Sequence, residues 1–233
     1  MCIFGVKSRN KIMELKAFTD CSLVYLEKTF GLIQEFNEPA LEQWLSVSIE
    51  LSDHERRELR DFQEPLTLNV LHWNEQELSL NFIGPIFALV RFTSRKFNLF
   101  AQRPSRATIG EVELYGRPDA FIASGFREPE IPFFAFHRSV ATEFKKDVEP
   151  AGHRDVAPPA AQALAAMLVG QGLNSDPTKP IYGCYVNGRD WNFMTLTGQT
   201  YCISSDYSAL TDDLFDIFRI LKALKQIVSE RTA

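Results

Sequence analysis

The stretch PIYGCYVNGRDWNFMTL, residues 180–196, decides the fold class. Two apolar and aromatic runs, Ile181–Val186 and Trp191–Leu196, flank Asn187-Gly188, a dipeptide suited to a tight hairpin turn. Just upstream, Ala160–Leu173 consists mostly of helix formers, and Asn174–Pro180 is a turn cluster. Just downstream, Tyr201–Ser204 reads as a third short strand. Leu210–Val228 then reads as an amphipathic helix carrying Leu214, Ile217, Phe218, Leu221, Leu224 and Val228 on one side. Asp212 and Asp213 lie at its start and Lys222 and Lys225 near its end, where each charge suits the helix dipole.

Upstream, the same alternation of types continues. Pro132–Phe136 is a compact aromatic strand, and Val140–Phe144 is a second strand or a continuation after a bulge. Gly152–Pro159 reads as a loop. Phe97–Ala101 and Ala120–Ala123 are short strands, Thr108–Leu114 alternates in part, and Gly116-Arg117-Pro118 is a turn or strand start. Residues 73–92 read as a helix capped by Asn74, with Glu75 and Glu77 in its first turn and Pro85 kinking or dividing it. Residues 12–51 read as helical, with a break and restart at Asn37-Glu38-Pro39. Ser52-Asp53 marks a further helix start, and His54–Asp61 reads as a polar surface segment. The order implies an α/β or α+β fold, a mixed central sheet flanked by helices. Residues 1–70 form a helical extension or subdomain, or pack on the same sheet.

Composition narrows the function classes. The 233 residues are 45% apolar, enough for a sizeable core, and the net charge of −5 excludes a surface that is basic all round. Four scattered cysteines (2, 21, 184 and 202) and four histidines (54, 72, 137 and 153) show no zinc-ligand spacing. Cys184 and Cys202 read as buried small side chains. No apolar run reaches the roughly 18 residues of a membrane span, and no secretory signal is evident, so a cytoplasmic location without membrane contact is expected. No Walker-type phosphate loop occurs, so no ATP site is expected in this chain.

The densest polar signal is Gly116-Arg117-Pro118-Asp119, followed beyond the aromatic strand by Glu143-Phe144-Lys145. On a strand, Glu143 and Lys145 point the same way. Asp119 and Glu143 at neighbouring strand ends would suit a hard cation such as Mg²⁺, and Lys145 would stabilise charge developing on a phosphate. Glu77 would supply a third carboxylate.

These segments resemble the PD-(D/E)xK nuclease superfamily, and most closely small bacterial proteins related to the amino-terminal nuclease region of type I restriction R subunits. The likeness spans Asn74 to Ile227. It runs through NEQELSLNFIGPI (74–86), GRPDAFIASG (116–125), PFFAF (132–136), EFKKD (143–147), AAQALAAMLVGQGLN (160–174), PIYGCYVNGRDWNFMTL (180–196) and DLFDIFRILKALKQI (213–227). The resemblance implies a restriction-endonuclease-like core of helix, three strands, helix and strand over residues 71–233. It implies a nuclease that hydrolyses nucleic acid, expected to be DNA, with Mg²⁺ or Mn²⁺. Asp119, Glu143 and Glu77 would hold the metal, and Lys145 and Gln162 would complete the catalytic set. Arg103, Arg106, Arg117, Lys146 and Arg189 are the candidate nucleic-acid contacts. A homo-oligomer is left open.

One departure matters. In such proteins the aromatic strand runs straight into the ExK element, whereas here RSVAT separates PFFAFH from EFKK. In one placement the extra residues form a bulge or loop, and Glu143 and Lys145 keep their roles. In the other, His137 fixes the register, and Arg138 and Val140 fill the ExK positions. Neither side chain can replace the missing carboxylate and lysine, so the site would be dead and the chain a binding, regulatory or structural protein. His137 itself reads as a strand-end histidine satisfied by a hydrogen bond.

Overall fold

The computed structural model describes residues 13–139, 158–174 and 176–233. The hairpin read at 181–196 is present as β8 (Ile181–Asn187) and β9 (Asp190–Thr197), paired antiparallel with Val186 opposite Trp191. Gly188 sits at φ 62°, a left-handed turn conformation that glycine adopts without a Cβ clash. β9 continues the meander to β10 (Thr200–Ile203) and also pairs with the short β11 (Tyr207–Ser208).

On its other side β8 runs parallel to β7 (Pro132–Ser139), which pairs antiparallel with β6 (Ala120–Ser124). β6 in turn pairs antiparallel with β3 (Phe97–Ala101). The sheet order is β2-β10-β9-β8-β7-β6-β3, with β2 (Ile33–Gln34) at one edge. The architecture is therefore a mixed α/β fold with a central sheet flanked by helices. A separate three-stranded sheet, β1-β5-β4, joins Glu14–Ala17 to the hairpin of β4 (Ser105–Ile109) and β5 (Val112–Gly116).

Helices cover both faces of the large sheet. One layer holds α2 (Pro39–Ser46), α3 (Asp53–Asn69), α5 (Gly84–Val90) and α7 (Asp213–Arg231). Leu41, Trp44, Leu59, Leu66, Phe87, Phe218 and Leu221 pack there against Phe134, Phe136, Trp191 and Phe193. Trp44 is buried and its Nε1 donates to the Ile220 carbonyl at 2.9 Å. The other layer is α6 (Pro159–Leu173), with α1 (Leu23–Phe30) and the small sheet over it. Residues 160–170 are buried on this helix except Gln162, because it lies between two sheets and has no solvent face. Its alanines let it approach closely. A Cβ on Gly183 would run into the Met167 side chain, so glycine here lets α6 cross β8 closely with Met167 in place.

Residues 12–51 depart from the helical reading. Glu14–Ala17 is a strand paired in parallel with β5, and Ile33–Gln34 pairs with β10. Two short helices fill the rest, α1 ending at Gly31 with φ 66°. The buried apolar residues of this segment sit in separate elements, and strand pairing outweighed local preference. The segment His54–Asp61 is the first half of α3, which opens on a capping box between Ser52 and Glu55. Asn74 caps α4 (Glu75–Leu78), with Glu77 as its reciprocal partner. The helix then widens into a π-helical turn, Ser79–Ile83, before α5, where Pro85 takes an early position that needs no donated N–H. Val140–Phe144 and the loop 152–157 lie outside the described residues.

Candidate functional site

Asp119 lies just before β6, at the sheet end where β3 and β7 finish. Its carboxylate is crowded by donors. Oδ2 accepts the Arg138 backbone N–H at 2.9 Å, and Oδ1 pairs with Arg138 Nη1 at 2.7 Å and accepts Gln102 Nε2 at 2.6 Å. The Arg138 Nε donates to the Glu75 carbonyl at 3.1 Å, tying β7 to α4. Both partners are largely buried, at 13% and 14% side-chain exposure, so the pair is screened far less than a surface pair.

Burial alone would raise the Asp119 carboxyl. It is outweighed by His137 and then by the Arg138 N–H and guanidinium, and the pKa falls below the ordinary carboxylate value. His137 Nδ1 stands 3.6 Å from Oδ2, longer than a hydrogen bond, so the shorter Arg138 contacts carry more of the geometry. His137 is at the end of β7 and buried, as a strand-end residue should be. It is not satisfied as expected, because its Nε2 has no hydrogen-bond partner among the described residues.

The pair closes one end of a cleft of about 550 Å³ between α5 and the β3-β6-β7 edge. Ala88, Leu99 and Ala101 supply accessible apolar surface over the buried Ile83, Phe87, Phe92 and Phe136. Gln76, Arg91, Gln102, Asp119 and Arg138 are among its polar groups. Phe87 and Phe136 meet edge to face at 5.1 Å.

The expected site residues are dispersed. Glu77 is exposed and its carboxylate accepts the Asn74 N–H at 2.8 Å, while its neighbour Gln76 lines the cleft. Gln162 is half-buried in the first turn of α6, which packs on the face of β7 opposite Phe134 and Phe136. Glu143, Lys145 and Lys146 lie outside the described residues. Arg103 pairs with Glu128 at 3.2 Å, Arg106 with Glu113 at 3.5 Å and Arg189 with Asp190 at 3.8 Å. Arg117 is exposed and makes no ion pair among the described residues. Arg189 follows the β8 turn beside Ser139, at the same sheet end as Asp119.

Among the described residues no three His, Cys, Asp or Glu side chains are grouped to hold a metal ion. Glu143 lies outside the described residues, and among them Asp119 Oδ1 is already engaged by Arg138 and Gln102, which a cation there would have to displace. Cys21, Cys184 and Cys202 are buried and reduced. Burial pushes the Cys21 thiol up to about 11 and that of Cys184 well above its ordinary value, so neither is a thiolate nucleophile. No described helix is long and apolar enough to cross a membrane.

Gln102 and Arg91 were not among the sequence candidates. Their signal is conformational: they are the two non-glycine residues with positive φ among the described residues, at 54° and 64°. No family model matches the chain, and no curated protein matches it.

Proposed function

We propose that this chain is a non-catalytic binding domain on a restriction-endonuclease-like core, with nucleic acid, expected to be DNA, as its partner. The order α5, β3, β6, β7, α6, β8, with β8 parallel to β7, supports the core, the β4–β5 hairpin being an insertion. One observation carries the loss of chemistry. Arg138 follows His137 directly and neutralises Asp119 through a 2.7 Å ion pair, in the register where a nuclease would present a carboxylate. That arrangement favours the placement in which Arg138 stands at the ExK glutamate position. A metal-dependent nuclease is the second reading. It is favoured by a buried, ionised Asp119 at a cleft, with Glu143 and Lys145 as further ligand and charge stabiliser.

The partner rests on Arg106, Arg117 and Arg189, which are exposed. The ion pairs of Arg106 and Arg189 are surface pairs, worth little and easily exchanged for phosphate contacts, and Arg117 has none among the described residues. Binding should be weak, indifferent to sequence and steeply salt-dependent, since each neutralised phosphate releases counterions. The test is a labelled duplex at rising salt without metal, followed by plasmid and linear DNA with Mg²⁺ or Mn²⁺. The expected result is binding at low salt that fades as salt rises, with no cleavage. Cleavage abolished by Asp119→Ala would establish the nuclease reading, and no binding at low salt would remove nucleic acid as the partner.

A further inference from the structure

Three departures from regular backbone converge on the cleft beside Asp119. The π-helical turn contributes Ser79 and Ile83 to its wall. Arg91 ends α5 in the left-handed region, where a bulky side chain is strained. Gln102, the first residue after β3, also has a positive φ, held by its N–H to the Asp119 carbonyl at 3.3 Å and by its side chain to the carboxylate. Strain of this kind persists only where surrounding contacts over-determine it, and π turns recur at functional sites.

The chemistry of the lining points the same way. The volume falls within the range of small-molecule sites, and an apolar floor with a few convergent polar groups is their usual form. The charged groups facing the cleft are Arg91, Arg138 and Asp119, two cations against one carboxylate. Asp119 is already committed to Arg138, which leaves Arg91 as the uncompensated charge. It makes no ion pair among the described residues and stands between this cleft and a neighbouring cavity lined by Lys222 and Lys225, where its charge, after burial, helps depress the Lys225 pKa. The accessible apolar lining and the excess positive charge complement a flat apolar body with an anionic end.

We propose that this cleft binds a small aromatic anion of the aryl carboxylate class. Its ring lies over the accessible apolar part of the lining, Ala88, Leu99 and Ala101, and its carboxylate meets the Arg91 guanidinium. The proposal rests on the non-catalytic reading in one respect: Arg138 stays on Asp119, so the pair forms a fixed wall and not a metal centre.

The probe is 2-naphthoate, with 2-naphthalenemethanol as its uncharged counterpart, titrated calorimetrically into the full chain at constant ionic strength. For a ligand of this size we expect a Kd on the order of 0.1–1 mM, with the alcohol about tenfold weaker. Arg91→Gln should weaken naphthoate about tenfold and leave the alcohol unchanged. Ala88→Trp and Ala101→Trp, both at exposed positions lining the cleft, should block both probes while circular dichroism stays as in wild type. Arg95→Gln, outside the cleft, should change nothing. No saturable binding, equal binding of the two probes, or naphthoate binding indifferent to the tryptophan variants would each overturn the proposal. Metal-dependent DNA cleavage by wild type would overturn the non-catalytic reading instead, and the naphthoate titration reads independently of it.

Discussion

The two faces of β7 are built by different rules. On one, α6 is a regular helix of small and aliphatic residues, sealed between two sheets, with Ala161, Leu164, Ala165 and Leu168 fully or nearly fully buried. On the other, the chain from α4 to α5 changes its helical winding, ends at a strained arginine and leaves a cleft whose wall is an ion pair. Both faces carry buried core, but only the second opens at its edge into a cleft. The second tolerates strain and buried charge, which cost stability and are kept where something must be recognised. The contrast implies that substitutions inside α6 will cost more stability than those at the cleft.

The largest effect should therefore come from α6. Leu164→Ala is expected to destabilise by about 2–5 kcal/mol in denaturant unfolding, since α6 is packed on all sides and cannot collapse into the gap. A cost under about 1 kcal/mol would show that this layer is looser than described. On the cleft side, Asp119→Asn should cost about 1–3 kcal/mol, less than a fully buried pair because both groups retain some exposure. It should also change the acid limb. Because the Asp119 pKa is depressed in the folded state, its contribution is present above the ordinary carboxylate pKa. It is lost as pH falls below about 4 and through the lower folded value. The variant should thus lose less stability than wild type between neutral pH and pH 3, and parallel losses would remove Asp119 as the acid-sensitive group. The smallest effect should be at Arg103, whose exposed pair with Glu128 predicts a change within about 0.5 kcal/mol for Arg103→Ala. A larger loss would mean that its stacking on Phe100 matters more than its charge.

Much of the first face was legible in the sequence, because its signals are local. Asn187-Gly188 marks the hairpin, and the Ala160–Leu173 run marks α6. The amino-terminal segment was misread because β1 and β2 are too short to alternate visibly. They exist through pairing with β5 and β10, about a hundred or more residues away. The second face was half legible. Asp119 stood out in its Gly-Arg-Pro-Asp setting, and Arg138 was recognised as the residue that would take a glutamate's place in one register. The roles of Gln102 and Arg91 depend on backbone dihedral angles that no spacing encodes. Glu77 looked like a ligand because an acid in a first helical turn serves a cap and a metal equally well, and here its carboxylate is engaged by Asn74.

The central claim is that Arg138, not a cation, is the counterion of Asp119. The direct measurement is Mn²⁺ binding followed by electron paramagnetic resonance on the full-length chain, in wild type, Asp119→Ala and Arg138→Gln. The account predicts no stoichiometric Mn²⁺ binding in wild type or Asp119→Ala at micromolar protein, and a gain, if any, in Arg138→Gln alone. One tightly bound Mn²⁺ per wild-type chain, lost in Asp119→Ala, would contradict it.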